Sequence, residues 1–278
     1  MKAYLPYFAF TILIQISAIK LSNAQSTATG TLQAPPNNIT INGSIKEWGD
    51  SLRYFNTEKH INYALANDKE NLYMAIRVND RSEQARIIKA GVTLSINTRG
   101  KKKESFSITF PLNTGEGGPI LNPLKDDGGD ITKEERDELK QAVLTSLRGI
   151  KVVGFKDIEG DMITTSNTYG IKTAIDYDDK GYLICEAAIP LKLLHSEDAI
   201  KTEWAFNLKI NGIIRPAAPE GEGRENGGGR GERGGGGRGG HGGGRGSRGG
   251  NIGGGADQAD RNSLSKSEDF WEKFYLAK

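Results

Sequence analysis

The chain holds one cysteine, Cys185, among 278 residues. An internal disulfide is therefore excluded, and the fold must rest on its core alone. Cys185 sits in an apolar run over residues 182–189. No cationic cluster lies beside it to lower its pKa, so it reads as a small buried hydrophobe rather than a reactive thiol. Histidine is almost as scarce. His60, His195 and His241 are scattered, without the HExxH or HxH spacing of a zinc site. Charge of one sign is missing too: 37 Lys and Arg against 35 Asp and Glu leave a formal net charge of +2. No global field then points to nucleic acid or to an anionic membrane. The sequence has no Gly-x-Ser-x-Gly elbow, P-loop or dinucleotide fingerprint, which leaves hydrolase and nucleotide readings without local support. Past the N-terminus, no apolar run approaches the roughly 20 residues that a membrane span needs.

The N-terminus itself carries a pattern. Lys2 precedes a mostly apolar stretch over residues 3–19, interrupted by Pro6 and Gln15. Leu21-Ser22-Asn23-Ala24 follows, with small residues at Ser22 and Ala24 where a signal peptidase needs them. This predicts a secretory signal peptide over residues 1–24, cleaved after Ala24, and an exported protein that is periplasmic or secreted. The stretch is short for an uncleaved anchor, so no transmembrane span is expected after cleavage.

The rest divides by composition. Residues 25–38 are polar with Pro35-Pro36 and predict a linker. Residues 39–278 predict one domain, interrupted at 220–255 by a Gly/Arg-rich tract and completed by a closing strand within 264–278. Leu72, Met74, Ile76 and Val78 alternate with Tyr73, Ala75 and Arg77. Val92, Leu94 and Ile96 repeat the period of two, as do Phe106, Ile108 and Phe110, and Trp204, Phe206, Leu208 and Ile210. The run over 182–189 is apolar on both faces except at Glu186, as a central strand would be. Turn signals at Asn67-Asp68, Thr98-Arg99-Gly100 and 178–181 separate these strands. Thr132 and Glu135 make a capping box, and Leu139, Ala142, Val143 and Leu147 share one helical face, with Gly149 as the stop. The fold expected is mainly β: an antiparallel, jelly-roll-like β-sandwich with one amphipathic helix over 132–148 and a disordered Gly-rich loop.

The most specific local signal is Ile39-Thr40-Ile41-Asn42-Gly43-Ser44-Ile45-Lys46-Glu47-Trp48. Asn42-Gly43 is a tight turn, and Trp48 follows at a distance that lets it fold back over a sheet edge. Asn71-Leu72-Tyr73-Met74-Ala75-Ile76-Arg77-Val78-Asn79-Asp80, Glu186-Ala187-Ala188-Ile189-Pro190-Leu191 and Trp204-Ala205-Phe206-Asn207-Leu208 come after it in order. Together they resemble the family 9 carbohydrate-binding modules and their DOMON-like relatives, with Asn42 where that family usually has Asp. The resemblance implies an exported sandwich that accompanies polysaccharide-degrading enzymes, binds sugars between aromatic side chains and in some members holds structural calcium. A pair of loop tryptophans matching the family's sugar clamp is absent here.

Sugar binding needs exposed aromatic faces flanked by polar groups. Trp48, Tyr54, Tyr63 and Trp271 are the candidate ligand-binding residues, with Phe55 beside them. The same rings serve equally well as core or edge packing. Asp126, Asp127 and Asp130 form the densest carboxylate group and are the candidate calcium ligands, although their position before the helix also suits its dipole. No catalytic residue is assigned. DOMON-like haem domains use His and Met as axial ligands, and His60 with Met74 is the pair this reading would need. The tract with Arg224, Arg230, Arg233, Arg238, Arg245 and Arg248 resembles RNA-binding Arg-Gly-Gly boxes. Export removes it from cellular RNA, no Phe or Tyr is interleaved for stacking, and Glu220, Glu222, Glu225 and Glu232 dilute its charge, so no nucleic-acid partner is expected. Three functions follow: recognition of a polysaccharide or oligosaccharide, an accessory envelope protein of the same fold, and a haem-binding redox domain.

Overall fold

The computed structural model describes residues 30–49, 52–114, 132–195, 202–214 and 264–278. The expected signal peptide, Asp126, Asp127 and Asp130, and the 220–255 tract lie outside them. In chain order the elements are β1 (Gly30–Thr31), β2 (Tyr54–Asn56), β3 (Ile61–Asn67), β4 (Asn71–Val78), α1 (Arg81–Ala90), β5 (Val92–Asn97), β6 (Phe106–Leu112), α2 (Lys133–Ser146), β7 (Gly149–Val153), β8 (Met162–Thr164), β9 (Lys172–Tyr177), β10 (Leu183–Pro190), β11 (Trp204–Ile210) and β12 (Glu268–Tyr275). They form a seven-stranded sheet in the order β1-β12-β11-β5-β6-β7-β8 and a five-stranded sheet in the order β2-β3-β4-β10-β9. The fold is a mainly β sandwich, as the alternation predicts. It is not wholly antiparallel, since β1 runs parallel to β12.

The alternating residues face the layer between the sheets. Leu72, Met74, Ile76 and Val78 of β4 meet Leu94 and Ile96 of β5, Ile108 and Phe110 of β6, and Trp204, Phe206, Leu208 and Ile210 of β11 in one core. Burying each such side chain contributes roughly 1.5–3 kcal/mol. Aromatic rings tie the sheets together through Tyr63 of β3, which lies 5.8 Å from Phe206 and 5.3 Å from Phe270, while within the larger sheet Trp204 lies 5.9 Å from Phe274. Cys185 is fully buried in this core, and burial pushes its thiol well above the ordinary range.

The β10 strand is buried on both faces because the outer face of its sheet is covered. Ile45, Leu52 and Trp48 pack over Ala64, Ala75 and Ile184 in a second, smaller core. Beneath that cover lies Glu186, which has no exposed surface. Its Oε2 accepts from the Asn42 N–H at 3.1 Å and the Gly43 N–H at 2.8 Å, and its Oε1 accepts from Trp48 Nε1 at 2.9 Å. Gly43 has φ +85°, and a Cβ there would lie 2.8 Å from Asp176 Cβ. The Asn42-Gly43 turn thus lets the backbone descend onto a buried carboxylate.

The α2 helix opens as predicted. Thr132 Oγ1 accepts from Glu135 N–H at 3.2 Å, and the Glu135 carboxylate accepts from Thr132 N–H at 2.9 Å. Leu144 and Leu147 are buried, while Ala142 is exposed rather than part of the packed face. Gly149 does not stop the helix, which ends at Ser146. It opens β7, where a Cβ would meet the Leu112 carbonyl at 2.9 Å. The expectation of a single helix is corrected by α1. Asp80, which ends the β4 motif, is also the cap of α1, accepting from Glu83 N–H at 2.9 Å. No helix among the described residues is long and apolar enough to cross a membrane.

Candidate functional site

Nothing described covers the outer face of the seven-stranded sheet, and the outward halves of its strands are polar. Strand register arranges them in rows. Trp271 lies opposite Asn207, followed by Ser95, Ser107 and Val153. The next row is Asp269, Lys209, Thr93, Thr109 and Lys151. Each row crosses five strands, a span of about 19 Å at about 4.8 Å per strand. Thr93, Ser95, Ser107 and Asn207 are almost buried, because the longer Trp271, Glu104, Lys151 and Lys209 rise around them. The result is a shallow groove of about 330 Å³ with a floor of hydroxyls and a carboxamide.

Short hydrogen bonds hold the floor in place. Thr93 and Thr109 share one at 2.8 Å, and Asn211 Nδ2 donates to Thr93 Oγ1 at 2.9 Å. Ser95 Oγ donates to the Glu104 carboxylate at 2.9 Å, and Asn207 Nδ2 donates to Asp269 at 2.8 Å. Trp271 stands at one end. Val153 and Met162 give the other end an exposed apolar border. The groove therefore offers an aromatic face, acceptors in Glu104 and Asp269, and donors in Lys151 and Lys209.

The four ring residues singled out in the sequence do not converge. Only Trp271 reaches this groove. Trp48 lies on the far side of the sandwich, held through its indole N–H to Glu186. Tyr63 is in the core, and its hydroxyl donates to Glu272 at 2.6 Å. Tyr54 stacks on Tyr63 at 5.3 Å, with Arg53 near its ring at 5.6 Å. Met74 is buried between the sheets, whereas His60 lines a cleft outside the five-stranded sheet. A metal between them would have to pass through the sheet. Among the described residues no group of three His, Cys, Asp or Glu is placed to hold a metal.

Tyr63 and Glu272 form a working part of the core instead. Burial, and then the Glu272 carboxylate, pushes the Tyr63 phenol well above its usual range. Burial also raises the Glu272 carboxyl, against the hydrogen bond from Tyr63. Tyr63→Phe removes the donor and strands a half-buried carboxylate at a cost of about 1–2 kcal/mol. Urea unfolding checks this: the midpoint should fall with an unchanged slope, and an unaltered midpoint would show the bond to be idle.

Neither the groove floor nor Glu186 is given a functional role by the sequence patterns above. Both had a signal: the polar halves of β5, β6 and β11, and a single acid in an otherwise apolar run. No protein-family model matches the chain, and no curated protein matches it.

Proposed function

We propose that this chain is an exported, non-catalytic domain related to the family 9 carbohydrate-binding modules and their DOMON-like relatives, and that it recognises a glycan along the open face of the seven-stranded sheet. The observation that carries the reading is a tryptophan at the end of a long groove floored by small hydroxyls and a carboxamide. An indole face stacks on the C–H groups of a sugar ring, and the floor and walls supply donors and acceptors for its hydroxyls. The length of the groove suits a chain of sugars better than a single ring. The four ordered sequence motifs support the same assignment, and the N-terminal signal pattern supports export.

Affinity gel electrophoresis against plant, algal and bacterial polysaccharides tests the proposal. At least one should retard the purified chain. Trp271→Ala should weaken that retardation by about tenfold or more while leaving the melting temperature nearly unchanged, because one stacked ring accounts for about that factor. No retardation of the wild type by any polysaccharide would leave the accessory envelope reading in its place. Equal retardation of wild type and variant would remove the groove as the site.

A further inference from the structure

The outer face of the five-stranded sheet carries a second cleft, of about 480 Å³, where β3 begins and β4 runs into α1. Its floor is Asn62 and Arg77, which lie directly opposite each other across β3 and β4. They share the outward parity of Ala64 and Ala75, so the cleft and the groove lie on opposite sides of the sandwich. Phe55 forms one wall. It is 52% exposed, and among the described Phe, Tyr and Trp residues it is the one in the exposed class. Across from it the Arg77 guanidinium sits 4.3 Å from the centre of the Tyr182 ring and pairs with Asp178 at 2.8 Å. His60, its ring 6.2 Å from that of Phe55, extends the Phe55 wall and has a left-handed backbone, φ +53°.

Two polar atoms in the floor have no partner within the protein: Asn62 Oδ1, an acceptor, and Arg77 Nε, a donor. Both are closed to solvent as the side chains stand, so a hydroxyl reaches them where a small turn of Asn62 or Arg77 opens them to the cleft, donating to the first or accepting from the second. Asn79, Asp80 and Glu83 line the remainder and add further acceptors. The charges do not favour an ion. Arg77 is matched by Asp178, and burial pushes the Glu83 carboxyl up to about 7, beside Asp80 and Arg86.

The geometry points to a second glycan site, in which a neutral pyranose ring stacks on Phe55 and places its hydroxyls on Asn62 and Arg77, so that one molecule holds two polysaccharide chains on opposite faces. The bivalence rests on the groove reading of the previous section; the cleft does not. Calorimetric titration of the purified chain with cello-, xylo- and mannotetraose separates the two. Two molecules of the recognised tetrasaccharide should bind per chain. Phe55→Ala should remove one and leave one that Trp271→Ala abolishes. Phe55 is half in solvent, so its loss should leave folding intact, and Asn62→Ala gives a second handle that should weaken the cleft about tenfold. If Phe55→Ala and Asn62→Ala both bind as the wild type does, the cleft is not a site. If Phe55→Ala abolishes all binding and Trp271→Ala changes none, the cleft stands and the groove reading falls. If no tetrasaccharide binds the wild type, both fall.

Discussion

Glu186→Ala should lower the melting temperature by about 10 °C or more and free the segment around Trp48 from the sheet. The carboxylate is completely buried and is the shared acceptor of two backbone N–H groups and an indole N–H. Removing it strands the buried Gly43 N–H, leaves the partly buried Asn42 and Trp48 N–H groups without their acceptor, and opens a hole beside the smaller core. An unsatisfied buried donor costs about 1–3 kcal/mol, so the sum is on the order of 3–5 kcal/mol. For a domain of this size each kcal/mol moves the midpoint by about 2–4 °C. Glu186→Gln isolates the hydrogen bonds from the hole. If its oxygen faces Asn42 and Gly43, its amide N–H groups face the Trp48 indole, donor against donor. That variant should lose about 1–2 kcal/mol. Tryptophan fluorescence follows the consequence directly: in the alanine variant Trp48 should become quenchable at temperatures where the main core is still folded. A loss under 1 kcal/mol with Trp48 still protected would show that apolar packing alone holds the segment.

This site explains why the motif over residues 39–48 is so specific. A turn with a positive-φ glycine and a tryptophan five residues on are what a chain needs in order to wrap one carboxylate. The pattern was visible, but its partner was not, because Glu186 lies 143 residues from Gly43 in sequence. The strands themselves were legible for a simpler reason. β4, β5, β6 and β11 each set an apolar half against a different half, and only a pleated strand separates the two. The α1 helix gave no such signal. Apart from Arg86, its buried residues are Ile87 and Ile88, adjacent positions that carry no helical period, and its cap Asp80 also reads as the end of a strand.

The groove was hidden by topology rather than by chemistry. The outward residues of β4 and β10 include Ala75 and Ile184, which are apolar because Ile45, Trp48 and Leu52 cover them. Those of β5 and β6 include Thr93, Ser95, Ser107 and Thr109, which are hydroxylated where nothing described covers them. The contrast is written in the sequence. Its meaning depends on β11 lying beside β5, a pairing of strands more than a hundred residues apart. Choosing site residues by ring type alone favoured Trp48, Tyr54 and Tyr63, which are committed to Glu186 and the smaller core, to Arg53 and Tyr63, and to the main core.

The second large effect expected is a dependence of stability on pH that Glu83→Gln removes. Glu83 is the third residue of α1, where a carboxylate ordinarily gains from the helix dipole by about 0.3–1 kcal/mol. Here burial dominates, and with Asp80 and then Glu268 adding to it against Arg86, it raises the folded carboxyl to about 7 from 4.5. The folded state then holds a proton that the unfolded chain has released. A carboxyl raised in this way gives its full stability below pH 4.5 and loses it as pH climbs through about 7. Measured as the difference between the two proteins in urea, Glu83→Gln and wild type should be nearly equal at pH 4. The glutamine variant should be ahead at pH 8 by on the order of 2 kcal/mol. Asp178, His60, Lys59 and Arg77, which also stand at this end of the sheet, are common to both chains and cancel in the difference. Should the wild type instead be the more stable at pH 8, the ion pair to Arg86, at 3.7 Å, would outweigh burial, and Glu83 would sit charged at the rim of the cleft.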